Sequence, residues 1–191
     1  MKLFAAVVVA ASVFGVAECA NAAEFTYNSS MITISGPIVE GDYGTFKSLL
    51  EAHGNTKDVL IGESPGGLLI EAIAMGELIH KRGLRTSVGG RCLSACALIF
   101  MSGVKKGMGK GSVLAFHAPA DQDDVKSTAG AALSGAYLNS LGVSYAFIYA
   151  AHRNDGKLFV IEPADIDVLA DEWGVYFFPV TTKAEAEFFL K

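Results

Sequence analysis

The chain has 191 residues, a formal net charge of −5 at pH 7, a hydrophobic share of 51% and three cysteines. That length suits one folded core once any leader is set aside. Mild acidity, with no basic cluster beyond Lys105, Lys106 and Lys110, excludes a nucleic-acid partner. Those three lysines fall in a Gly-rich stretch and read as a solvated turn.

Residues 1–22 read as a secretory leader. Lys2 supplies a positive start, residues 3–16 an apolar run, and Ala20-Asn21-Ala22 a small-x-small cleavage site. The run is short for a membrane span. Cleavage after Ala22 leaves residues 23–191 as a single exported domain, periplasmic or secreted, with no stable membrane insertion. A lipoprotein reading of Cys19 fails because Glu18 stands where a small residue is needed.

Residues 31–39 alternate apolar and polar with β-branched side chains and read as a strand. Residues 42–53 follow as a helix, with Phe46, Leu49 and Leu50 on one face and Asp42 as its N-cap. A short strand at 58–62 leads into the turn Gly62-Glu63-Ser64-Pro65-Gly66-Gly67, and a helix over 68–81 is closed by Gly83. A strand at 84–88 ends on Gly89-Gly90. A helix over 94–101 ends at Gly103, and a strand at 112–116 precedes His117. Residues 127–153 are helical with a break near Gly142. Residues 158–161 are a short strand, 163–173 a helix with Pro at its first turn, and 174–180 a final apolar strand. This alternation specifies an α/β domain with a largely parallel sheet flanked by helices.

Loss of Cys19 leaves Cys92 and Cys96. Their spacing at a helix start puts the Cα atoms about 6 Å apart, within disulfide range, and export supplies oxidising conditions. Two buried thiols are the alternative. A metal site is not called for, because no further His or Cys pair lies nearby to complete one.

Ser94 stands where a strand and a Gly-Gly break meet a helix, so its hydroxyl sits beside unpaired backbone amides. A serine nucleophile needs a base and donors for the oxyanion. The amide of Ala95 is one donor, and Gly67 is a second if its turn faces the same cleft. Taken alone, Ser94 is an ordinary helix cap. His117 lies at the carboxyl end of a strand, where open α/β sheets build their sites. His53, His80 and His152 fall on or at the ends of helices, and His152 is the reserve base. Ser64 reads as a turn residue.

Ser64-Pro65-Gly66-Gly67, then Gly90-Arg91-Cys92-Leu93-Ser94-Ala95, then His117-Ala118-Pro119 resemble the ClpP/crotonase superfamily, in particular its exported ClpP-like serine peptidase relatives. The resemblance covers residues 32–119 well and 163–175 more loosely. It implies a spiral of β-α units, with Ser94 as nucleophile, His117 as general base, and the amides of Gly67 and Ala95 as oxyanion hole. The third member by that resemblance is an acid after the long helical segment. Asp155 fits best, with Asp165 and Asp167 as competitors. The Cys92–Cys96 bracket departs from cytosolic ClpP, and a bond there could rigidify the turn that holds Ser94. A Ser–Lys dyad is disfavoured because no lysine occupies an apolar setting. The implied activity is ATP-independent peptide-bond hydrolysis, with no cofactor, a peptide or protein substrate, and a homo-oligomer allowed. Alternatives are a catalytically silent binding or assembly module and, against the leader, a crotonase-type acyl-CoA enzyme.

Overall fold

The computed structural model describes residues 22–120, 127–153, 157–167, 169 and 176–180. The expected leader up to Asn21, Asp155, most of the expected 163–173 helix beyond its first turns, and the apolar tail at 188–190 lie outside them. Chain order is β1 (Glu24–Asn28), β2 (Met31–Ser35), α1 (Asp42–Ala52), β3 (Asp58–Ile61), α2 (Leu69–Lys81), β4 (Arg85–Val88), β5 (Arg91–Leu93) and α3 (Ala95–Met101). Then follow β6 (Lys106–Gly109), β7 (Val113–Phe116), α4 (Thr128–Ser140), α5 (Tyr145–Ala151), β8 (Phe159–Ile161), a 3-10 turn (Pro163–Asp165) and β9 (Phe178–Val180).

A six-stranded sheet runs β1-β2-β3-β4-β6-β9, antiparallel only between β1 and β2. Alternating burial in β2 sends Ile32 and Ile34 into the core beside Val59 and Ile61 of β3. Helices α1, α2 and α3 pack one on the next, with Phe46, Met75, Ile79 and Phe100 fully buried. A smaller sheet, β5-β7-β8, joins the first through a bridge between Ser64 and Cys92. The expected break near Gly142 is present: that residue takes φ 81 and separates α4 from α5, each capped by a serine side chain, Ser127 and Ser144.

Four expectations are corrected. Strand β1 goes unseen in the sequence because no turn signal separates it from the apolar N-terminal stretch. Gly41, at φ 94, rather than Asp42 caps α1. Asp42 opens the helix, 3% exposed, and its Oδ2 accepts from the amides of Val39 (2.7 Å) and Ala23 (3.4 Å). The Lys105–Lys110 stretch is not a solvated turn throughout, because β6 lies between β4 and β9. Lys106 is therefore half-buried, donates to the Gly103 carbonyl at 2.8 Å, and has its pKa lowered by desolvation. It belongs to the six-stranded sheet and does not line the cavity described below. Finally, the stretch from Pro163 begins as a 3-10 turn closed by a reciprocal Glu162–Asp165 capping box.

Candidate active site

The turn after β3 threads between two segments of backbone. On one side Gly36 N donates to Glu63 O (2.7 Å), Ile38 N to Gly66 O (2.8 Å), and Leu68 N to Ile38 O (2.9 Å). On the other, Ser64 N donates to Arg91 O (2.8 Å) and Leu93 N to Ser64 O (3.0 Å). Ser64 is buried and its Oγ accepts from Gly66 N at 3.2 Å, so it shapes the turn. The exposed Arg91 guanidinium lies 3.0 Å from Glu63 and holds that carboxyl below its usual pKa. Gly66 and Gly67 take φ 89 and 142, conformations that exact a cost from any side chain. A Cβ on Gly66 would sit 2.5 Å from the Leu93 carbonyl oxygen and 2.8 Å from Ser94 Cβ. The bonds to Ile38 use the carbonyl before Gly67 and the amide after it. The Gly67 N–H therefore faces away from Ile38, and Gly67 borders the cavity that Ser94 also lines.

Ser94 takes φ 57 and ψ −127 between β5 and α3, and its side chain makes no capping hydrogen bond. The ordinary helix-cap reading of this serine is thereby overturned. A non-glycine residue in this region costs about 1–3 kcal/mol and persists only where its surroundings over-determine it. Three constraints do so here. Ser94 N donates to Ala115 O at 2.8 Å, the Gly66 backbone lies so near that a Cβ there would stand 2.8 Å from Ser94 Cβ, and a Cys92–Cys96 disulfide with Cα atoms 5.4 Å apart brackets it. Both cysteines are buried. A sharp strand-to-helix turn of this kind leaves the side-chain hydroxyl free of the helix end.

The pairing of β5 with β7 sets Leu93 beside Ala115, which brings Ser94 to the end of β7 where His117 follows. Phe116 packs edge-on against Phe147 (5.3 Å between centroids), giving His117 a rigid base. His117 Nδ1 lies 2.8 Å from the Ala118 carbonyl oxygen. A carbonyl only accepts, so in the neutral ring Nδ1 carries the proton and Nε2 offers a lone pair. Among the described residues neither His117 Nε2 nor Ser94 Oγ takes part in a hydrogen bond, although the two line one cavity.

That cavity is about 620 Å³ and gathers Gly67, Ser94, Ala95, His117, Ser134 and His152 against an apolar wall that includes Leu69, Leu98 and Phe116. The amides of Gly67 and Ala95 make no backbone hydrogen bond among the described residues, so both are available as donors. His152, the reserve base, is already committed. Its Nδ1 donates to Ile148 O at 2.8 Å, and its Nε2 meets Ser134 Oγ at 2.6 Å. Ser134 lies within α4, where neighbouring amides are consumed by the helix, so this pair has no oxyanion donors. Nothing in the sequence marks it, because Ser134 and His152 come together only when α4 folds against α5. Asp165 is spent on its own turn, accepting from Glu162 N at 2.8 Å, Asp167 is exposed, and neither lines the cavity. Asp155 lies outside the described residues. No lysine lines the cavity among the described residues, and no three His, Cys, Asp or Glu side chains there cluster to hold a metal.

Burial lowers the His152 pKa, the Ile148 carbonyl opposes that shift, and the nearby His117 adds to it. An unfolded histidine binds a proton near pH 6.5, whereas the folded His152 does so only at lower pH. Its contribution to stability is therefore complete above about pH 6.5 and is lost as pH falls below that value toward the folded pKa. Urea melts at pH 7.5 and 5.5 are expected to show the parent losing more stability on acidification than His152→Gln. Equal losses would contradict this.

No family model matches the sequence, and no curated protein matches it. Solved structures do resemble the fold. A Ser-to-Ala mutant of the 1510-N membrane-bound stomatin-specific protease superposes with a TM-score of 0.61 at 17% identity, covering 81% of this chain and 80% of that one. A lysine mutant of the same protease, in complex with a substrate peptide, gives 0.62 at 18% identity, with 82% and 77% covered. A ClpP1 mutant from Listeria monocytogenes gives 0.60 at 17% identity, with 82% and 94% covered. The chain therefore has a ClpP-like fold.

Proposed function

We propose that this chain is an exported, ATP-independent serine peptidase. The observation that carries the reading is the backbone of Ser94. It is held at positive φ with its hydroxyl uncommitted, in one cavity with His117 and two unused amides. In the reaction Ser94 Oγ attacks a peptide carbonyl while His117 Nε2 takes its proton, and the oxyanion forms between the amides of Gly67 and Ala95. The His117 imidazolium then gives the proton to the departing amine, and water repeats the sequence on the acyl-enzyme. The Ala118 carbonyl does the orienting work usually given to an acid, because it fixes the tautomer with Nδ1 protonated. Export is supported by the leader pattern and by the cystine, which suits an oxidising compartment. Peptide or protein is the substrate class, and self-assembly is compatible with the fold.

The missing Ser94–His117 hydrogen bond favours a second reading, a silent module that kept the fold and binds peptide without cleaving it. Catalytic contacts are often long in the absence of substrate, so the chemistry decides. The exported protein is treated with a fluorophosphonate and the modified residue mapped by peptide mass. Label on Ser94, with ATP-independent hydrolysis of a peptide library, supports the peptidase. An unmodified Ser94 with no hydrolysis leaves the binding module.

A further inference from the structure

The buried carboxylate of Asp42 lacks a cation. It is 3% exposed, and among the described residues no Lys, Arg or His pairs with it. A buried charge of this kind is costly unless an opposite charge accompanies it. The nearest nitrogens are both backbone amides, Val39 N at 2.7 Å and Ala23 N at 3.4 Å. Ala23 is the first residue after the expected cleavage site, and its own surface is buried while Ala22 is exposed.

We propose that removal of the leader creates the missing partner: the new ammonium of Ala23 pairs with Asp42 and, through Val39 and Ile38, anchors the turn that presents the Gly67 amide. Water hydrolyses the Ala22–Ala23 bond under a leader peptidase. The carboxylate departs on Ala22 and the amine on Ala23 takes up a proton. An ammonium has three donors and full charge, so its contact with Asp42 becomes a charge-assisted hydrogen bond.

The route from that pair to the active site is short. Asp42 Oδ2 binds Val39 N, and the adjacent Ile38 supplies both bonds that flank Gly67, through Gly66 O and Leu68 N. A second connection runs beside it. The Ala22–Ala23 backbone lies over Gly36, whose would-be Cβ is 3.6 Å from Ala22 O, and Gly36 N donates to Glu63 O in the same turn at 2.7 Å. The unprocessed chain places a neutral amide at this point, so the turn is fully fastened only after processing.

The inference rests on the leader reading and, for its effect on chemistry, on the peptidase reading; its structural arms depend on neither activity nor substrate. The full chain is expressed with its leader, recovered after export, and its N-terminus sequenced. It is compared with a variant carrying Gly-Ser inserted between Ala22 and Ala23, which keeps the cleavage motif but moves the ammonium two residues away. Asp42→Asn and the combination complete the cycle. The expected N-terminus is Ala23. The insertion is expected to lower Tm by several degrees, to speed hydrogen exchange of the Leu68 amide severalfold, and to slow phosphonate labelling of Ser94. In the Asp42→Asn background it should do none of these. An N-terminus elsewhere, or an insertion that leaves Tm and exchange unchanged, overturns the proposal. Should Asp42→Asn fail to fold, the insertion alone decides. Intact thermal and exchange effects without Ser94 labelling in any variant would sink the peptidase and leave the anchor standing. Labelling that ignores the insertion, with unchanged Tm and exchange, would do the reverse.

Discussion

Ser94→Ala is expected to cut peptide hydrolysis by a factor on the order of 10³ or more, since the acyl-enzyme has no other oxygen on which to form. Ser94→Gly should be equally inactive, yet the two variants should part in stability. At φ 57 an alanine keeps the Cβ conflict that serine suffers, whereas glycine takes this conformation freely. The glycine variant is therefore expected to be more stable than the alanine variant by about 1 kcal/mol, after allowance for its floppier unfolded chain. Thermal melts set beside initial rates check both halves. Substantial hydrolysis in either variant would remove Ser94 from the chemistry. A glycine variant melting below the alanine variant would mean that the turn at Ser94 carries no strain.

Gly66→Ala is expected to be a severely damaging single-methyl change beside Ser94. It forces a Cβ into φ 89 and drives it to 2.5 Å from the Leu93 carbonyl oxygen, 2.8 Å from Ser94 Cβ and 2.9 Å from the Ala95 amide nitrogen. Backbone strain of about 1–2 kcal/mol and overpacking of about 1–3 kcal/mol act together, for a combined loss of roughly 3 kcal/mol. Relief comes only by pushing Ser94 and the Ala95 amide outward, so whatever protein folds should also label poorly with phosphonate. Gly83→Ala is the control. It has φ 67 and no atom within 4 Å of the added Cβ, so it should cost only the backbone term. Chemical denaturation of the two variants measures the difference. Equal losses would show that the Gly66 contact yields without consequence.

The positions that punctuate the chain were legible in its sequence. Gly62, Gly66-Gly67, Gly83, Gly89-Gly90 and Gly142 announce changes of direction, and the 3.6-residue spacing between them gives α2 and the helical stretch to either side of Gly142. Strands β5 and β6 escaped because their signal lies in partners, not in composition. Arg91-Cys92-Leu93 is too short to show a period, and Lys106-Gly107-Met108-Gly109 reads as a loop until β4 and β9 hold it on either side. The Ser94–Gly67–His117 association was legible as an order of motifs. What decides the character of Ser94, its positive φ, was not, because serine has no intrinsic taste for that region and adopts it only under tertiary pressure. The same holds for the Ala118 carbonyl, which stands beside Nδ1 in the place an acid would take: a backbone atom leaves no trace in residue identity.

The cystine around Ser94 carries a consequence for the order of assembly. Its sulfurs belong to residues 0% and 1% exposed, so no oxidant reaches them once the core has closed. Its two ends are only four residues apart, so they meet readily in a chain that has no tertiary structure at all. A bond made before the core closes leaves strand β7 to pair with β5 over a loop already tied.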